Sequence, residues 1–148
     1  MAINVKVINK SGFDLPEYKT RGASGMDLKS TVDLEIKPFE RVLVPTGLFI
    51  ELPWNFEVQI RTRSGKALDE GLIVLNSPGT VDEDYRGEIA VILMNVSRKP
   101  VTIKKGDCIA QAVLTKISKI RFIETDKLSD TQRGEGGFGS TDRKEKED

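Results

Sequence analysis

Phe56-Glu57-Val58-Gln59-Ile60-Arg61 alternates apolar and polar side chains at every step. Successive side chains on a strand point to opposite faces, so this pattern predicts a strand with one face buried and one face wet. The same period recurs in Ile3/Val5/Val7, Val32/Leu34/Ile36 and Ile89/Val91/Leu93. Shorter apolar runs at Arg41 to Val44, Leu48 to Ile50, Leu72 to Leu75, Val101 to Ile103 and Ile109 to Leu114 are parted by Pro, Gly, Asn or charged turns such as Lys104-Lys105-Gly106-Asp107. Many short strands with frequent turns predict an all-β, jelly-roll-like sandwich or barrel. One segment breaks the pattern. Ser64-Gly65-Lys66-Ala67-Leu68-Asp69-Glu70-Gly71 has a capping residue at one end, helix formers inside and Gly at the other end, which predicts a short helix.

The 148 residues suffice for one domain with an apolar core. Composition places that β domain at residues 1–127. Beyond it, residues 128–148 turn to Gly and charge with Phe138 as the one apolar side chain after Leu128, which predicts a mobile C-terminal arm. Lys plus Arg and Asp plus Glu each number 23, so nothing marks a uniformly basic face for long nucleic acid. No run approaches a membrane span and the start lacks a signal-peptide core, so the expectation is an intracellular protein, cytoplasmic or nuclear. The absence of histidine excludes His-dependent nucleophile systems, His-ligated zinc and imidazole acid/base chemistry. A single cysteine, Cys108, excludes an internal disulfide and reads as a small buried hydrophobe. Catalysis must then rest on carboxylates, Ser, Tyr, Lys, Arg, Gln or a hard, oxygen-bound metal.

Gly79-Thr80-Val81-Asp82-Glu83-Asp84-Tyr85-Arg86-Gly87-Glu88 is the most unusual stretch. Its acidic run reads either as a solvated hairpin turn or as a carboxylate held where it can orient water, with Tyr85 offering a flat face to a ring. Asp27, in Gly25-Met26-Asp27-Leu28, reads by itself as a turn residue. Arg63-Ser64-Gly65 reads either as a helix cap or as an anion site, a hydroxyl and free N–H groups beside a guanidinium. Gln111 is a polar residue inside an apolar strand, either a satisfied core amide or a ligand. In Arg133-Gly134-Glu135-Gly136-Gly137-Phe138-Gly139-Ser140-Thr141 the glycines allow a plain linker, or an arm whose Arg meets phosphate and whose Phe stacks on a base.

Taken together, in their order along the chain and with this spacing from Gly25 to Thr141, these five motifs resemble the trimeric dUTP pyrophosphatases. The resemblance implies hydrolysis of dUTP to dUMP and pyrophosphate with Mg2+, limiting uracil incorporation into DNA and supplying dUMP for dTMP synthesis. It also implies a homotrimer whose sites each draw on three chains. Asp82 would orient and deprotonate the attacking water, and Tyr85 would lie under the deoxyribose. The segment from Asn76 through Gly79, Thr80 and Val81 to Tyr85 would read the uracil edge. Arg63, Ser64 and Gly65 would hold phosphates, Asp27 would reach magnesium through water, and Gln111 would position the water or a phosphate oxygen. Arg133, Phe138 and Gly139 would close over the substrate.

Three positions depart from the pattern. Thr62 stands where such enzymes usually have Pro and is expected to matter little; Lys66 replaces a Leu; Cys108 replaces an Arg whose charge supports the site or the subunit interface. A dCTP deaminase would need a different base-reading segment. A nucleotide-sensing module would be favoured by an insertion or a degenerate third motif, and neither is present.

Overall fold

The structure, a computed structural model, describes residues 2–137. Ten strands follow in order: β1 (Lys6–Asn9), β2 (Met26–Lys29), β3 (Leu34–Ile36), β4 (Arg41–Glu51), β5 (Phe56–Arg61), β6 (Leu72–Val74), β7 (Gly79–Val81), β8 (Ile89–Asn95), β9 (Val101–Ile103) and β10 (Cys108–Lys116). They form two four-stranded antiparallel sheets, ordered β1-β4-β8-β6 and β2-β10-β5-β7, and a ribbon of β3 with β9. The inward residues of all three meet in one core that includes Leu28, Ile36, Val44, Ile60, Leu72, Leu93, Ile103 and Ile109. Each such side chain taken from water contributes about 1.5–3 kcal/mol before entropy is counted. The expected all-β, jelly-roll-like architecture is the one observed.

The alternation seen in the sequence is borne out in β5 and β8, whose side chains alternate between core and the opposite face. Several boundaries differ. Arg41 to Val44 and Leu48 to Ile50 belong to one strand, β4, with an irregularity between Pro45 and Leu48. The cause is Gly47, at φ 71°, packed so closely on Ser11 that a Cβ would come within 2.5 Å of its Cα. β2 and β7 carry no alternating apolar signal and were expected as turns; both are short strands held by neighbours with stronger patterns. The expected helix is a single π-type turn, Lys66–Glu70, closed at Gly71 in the left-handed region. Gly65, not Ser64, occupies its N-cap position, and no side-chain hydrogen bond caps it.

After β10 the chain leaves the sheets. Ile117 N–H donates to the Asn55 carbonyl, and Lys119 lies near Glu83 and over the Trp54 ring. Residues 118–135 are exposed, with Ile120, Phe122, Ile123 and Leu128 among them. No helix among the described residues is long and apolar enough to cross a membrane.

Candidate active site

Strand β10 sets the geometry because it lies between β2 and β5. Its Gln111 stands opposite Asp27 on one side and Arg61 on the other. Asp27 is therefore a strand residue rather than a turn residue, and its half-buried carboxylate points at the strand-to-turn connection that follows β5. There Arg63 Nε meets Asp27 Oδ1 at 2.8 Å, and Arg63 Nη1 donates to the Cys108 carbonyl at 3.0 Å. The guanidinium is thus fixed from two sides. The Cys108 thiol also lies within hydrogen-bonding reach of the Asp27 carboxylate.

Gln111 Nε2 donates to the Thr62 carbonyl at 3.1 Å, and its Oε1 lies beside Gly25, where an added Cβ would come within 2.5 Å of it. A side chain at position 25 would push the amide away. Thr62, expected to be incidental, makes two further bonds: its hydroxyl accepts from Val74 N–H at 2.8 Å, and its N–H reaches the Ser77 hydroxyl at 3.4 Å. Proline could make neither of these. Sequence reasoning missed this because a hydroxyl's partner across 12 residues leaves no local pattern.

A cavity of about 390 Å³ opens between these elements, lined by Asp27, Arg63, Ser64, Gly65, Lys66, Asp69, Glu70 and Gln111. It gathers the expected Asp27, Arg63-Ser64-Gly65 and Gln111 motifs in one place. Three residues not selected from sequence also line it: Lys66, Asp69 and Glu70. The signal that could have found the first and last is their i,i+4 spacing, which here produces an ion pair at 2.7 Å. Ser64 is exposed, its hydroxyl without a hydrogen-bond partner among the described residues.

Behind Asp27 lies a second cavity of about 270 Å³, which Cys108 also lines. Burial pushes the Cys108 thiol up from its usual pKa, and the nearby Asp27 charge pushes the same way, while Arg63 and Lys29 oppose it. A protonated, half-buried thiol is no nucleophile. Position 108 serves the site through its backbone carbonyl.

The acidic segment is built differently from the expected hairpin. β7 pairs with β5, whereas β6 and β8 pair with each other in the opposite sheet, so residues 82–88 are a crossover between sheets. Most of its polar groups hold that crossover together. Glu83 accepts from Asn55 N–H and Glu88 from Gly47 N–H, each at 2.7 Å. Arg86 donates to the carbonyls of Glu83 and Tyr85. The Tyr85 hydroxyl donates to the Glu88 carbonyl at 3.1 Å, and its ring lies where a side chain at Gly87 would stand. Asn76 packs its amide over Gly79, 3.2 Å from where a Cβ would be. Against this background Asp82 is exposed and makes no side-chain hydrogen bond or ion pair among the described residues. It is unoccupied by structural duty.

Strand register separates the two groups. Gln111 faces Arg61, while Val81 faces Val58, two strands over and several residues along. At about 3.4 Å per residue and 4.8 Å per strand, Asp82 lies roughly 16 Å from Gln111 within one chain. Thr80 and Val81 sit with Asp82, and none of this segment lines the Asp27 cavity. Arg133 is exposed, its Nε donating to Gly136 carbonyl at 2.7 Å, and touches neither group. Phe138 and Gly139 lie outside the described residues.

Comparison with known proteins bears on this arrangement. The dUTPase family model matches residues 11–142. A deoxyuridine 5'-triphosphate nucleotidohydrolase of Cytophaga hutchinsonii is 52% identical over 143 residues, 95% of this chain and 93% of that protein. One of Hydrogenobaculum sp. is 59% identical over 131 residues, 88% of this chain and 91% of that protein. Among solved structures, a point mutant of the Staphylococcus bacteriophage 80alpha dUTPase with dUpNHpp superposes with a TM-score of 0.84 at 21% identity, covering 95% of this chain and 98% of that one. At that identity the likeness concerns the fold.

Proposed function

The chain belongs to the dUTPase family, the dUTP diphosphatases, and on that premise we propose that it hydrolyses dUTP to dUMP and pyrophosphate by attack of water on the α-phosphorus. The observation that carries the mechanism is the separation of its parts. The cavity with Asp27, Arg63 and Gln111 and the free carboxylate of Asp82 lie roughly 16 Å apart in one chain, so a working site needs more than one copy. An apolar outer face supports such an assembly: in the β4-β8-β6 sheet, Leu43 stands beside Ile92 and Ile73 beside Met94, with Leu43 and Leu75 well exposed. We read this as the contact of a homotrimer, with residues 128–148 as the arm that completes a site on another subunit.

Within that site the roles follow from chemistry. Asp82, exposed and without a side-chain partner among the described residues, accepts a proton from the attacking water and aligns it. Gln111, held by Thr62, presents its amide to the water or a phosphate oxygen. Arg63, already clamped, and the free Ser64 hydroxyl with Gly65 bind phosphate oxygens without a search for geometry. Asn76, Gly79, Thr80 and Val81 offer the uracil-reading edge, and Tyr85, braced on Gly87 and Glu88, the surface beneath the sugar. Arg133, with Phe138 and Gly139, closes the site.

Magnesium fits a substrate-borne role. No group of three or more metal-ligating side chains occurs among the described residues, and the partly exposed Asp27 carboxylate lines the cavity wall. That suits an ion held chiefly by phosphates and water, with Asp27 bonding to its waters. When bound it neutralises charge developing on the phosphates.

The test is to incubate the purified chain with dUTP, dTTP, dCTP, dATP, dGTP and UTP with Mg2+ and to measure pyrophosphate. Release from dUTP alone is expected, since a polar base edge left unpaired costs about 10⁴-fold or more. Equal rates with UTP would remove Tyr85 from sugar selection, and no release from dUTP would remove the function.

A further inference from the structure

The cavity holds more negative than positive charge. Two cations line it, Arg63 and Lys66, against three carboxylates, Asp27, Asp69 and Glu70. Arg63 is committed twice, to Asp27 at 2.8 Å and to the Cys108 carbonyl at 3.0 Å. Among the described residues Lys66 has one partner only, Glu70, at 2.7 Å. Its side chain is 16% exposed, whereas Glu70 at the rim is 35% exposed. Both sit on one π-type turn, four residues apart, with Ser64 and Gly65 directly before them.

This asymmetry decides which cation can change partner. Withdrawing Arg63 from Asp27 would uncover two half-buried charges and free a backbone carbonyl. Withdrawing Lys66 from Glu70 uncovers a carboxylate that can turn to water, which costs little. A polyphosphate entering the cavity offers a more concentrated negative charge than a single carboxylate, and an ammonium meets it as a point charge needing no set orientation.

We propose that Lys66 is a phosphate-binding residue of this site, which exchanges Glu70 for an outer phosphate of the substrate, and that Glu70 is its built-in competitor. This rests on the reading of the cavity as a triphosphate site. Glu70 holds the ammonium in place before substrate arrives and lowers the affinity for polyphosphate, including the pyrophosphate product. The pair thereby moderates product retention as well as substrate binding.

The experiment measures binding of α,β-imido-dUTP and of dUMP, each with Mg2+, by calorimetry on the full chain. Lys66→Met should weaken the triphosphate analogue by about tenfold, the worth of one charge-assisted contact, and leave dUMP within about twofold. Lys66→Arg should restore most of the loss. Glu70→Gln should act with the opposite sign, tightening the analogue and pyrophosphate inhibition. A merely structural ion pair would make Lys66→Met and Glu70→Gln act alike, through a lower Tm with the affinities unmoved; either that result or equal losses for analogue and dUMP overturns the proposal. Wild-type dUTP hydrolysis, measured alongside, separates the two claims. If it is absent, the site reading falls; if it is present without the opposed signs, Lys66 alone falls.

Discussion

Gly25→Ala is the substitution that most directly tests how the site is held. The residue has no left-handed φ, so alanine brings no backbone strain. What it meets is Gln111 Oε1 at 2.5 Å and a Val113 methyl at 3.3 Å. The first of these is the end of a flexible side chain and yields by rotating away; the second gives by a few tenths of an ångström. Gln111 then loses its 3.1 Å bond to the Thr62 carbonyl. One neutral hydrogen bond is worth about 0.5–1.5 kcal/mol, and replacing Gly with Ala recovers about 0.4–1 kcal/mol through the unfolded chain. Net stability should change by less than about 1 kcal/mol, a Tm shift of about 4 °C at most. Turnover should respond far more, because a positioning group displaced by about 1 Å can cost about 100-fold, or 2.7 kcal/mol of barrier. The assay is kcat for dUTP together with a thermal melt, for Gly25→Ala, Gln111→Ala and the double variant. If position 25 acts only by moving Gln111, the double variant should be no slower than Gln111→Ala alone. Additive losses, or a Gly25→Ala enzyme of normal kcat, would refute the steric coupling.

Other outcomes follow from the same geometry. Asp82→Asn removes a side chain with no partner among the described residues, so the melt should stay where it is while turnover falls by about 10²- to 10⁴-fold; an unchanged rate would take Asp82 out of the mechanism. A chain ending at Leu128 should fold and assemble but lose most activity, since none of residues 129–137 belongs to the core. Mixed with full-length Asp82→Asn, it should restore roughly a quarter of all sites, because every mixed cyclic trimer then holds one site with both parts intact. Mixed trimers confirmed by mass spectrometry yet no more active than either parent would contradict sites shared between chains.

The all-β class was legible in the sequence because a strand's two-residue period is local. Phe56/Val58/Ile60 and Ile89/Val91/Leu93 announce one face each, and burial follows. The motifs were legible too, since their residue types and order are sequence properties. Partnership was not. Asp27 looked like a turn residue, and β7 like part of a hairpin, because both short strands take their conformation from β10 and β5 rather than from their own apolar pattern. Thr62 looked incidental until Val74 and Gln111 were brought to it from 12 and 49 residues away. Lys66 looked like a departure from a pattern until the turn set it on the wall of the same cavity as Arg63. The sequence by itself determined which chemistry was possible: carboxylates, an amide and cations, with no imidazole and no disulfide. Only the tertiary structure decided which of those groups are tied to one another and which are free. Hydrogen bonds and ion pairs depend on separations of about 3 Å, and strand pairing over long loops sets those separations without leaving a local trace in the chain.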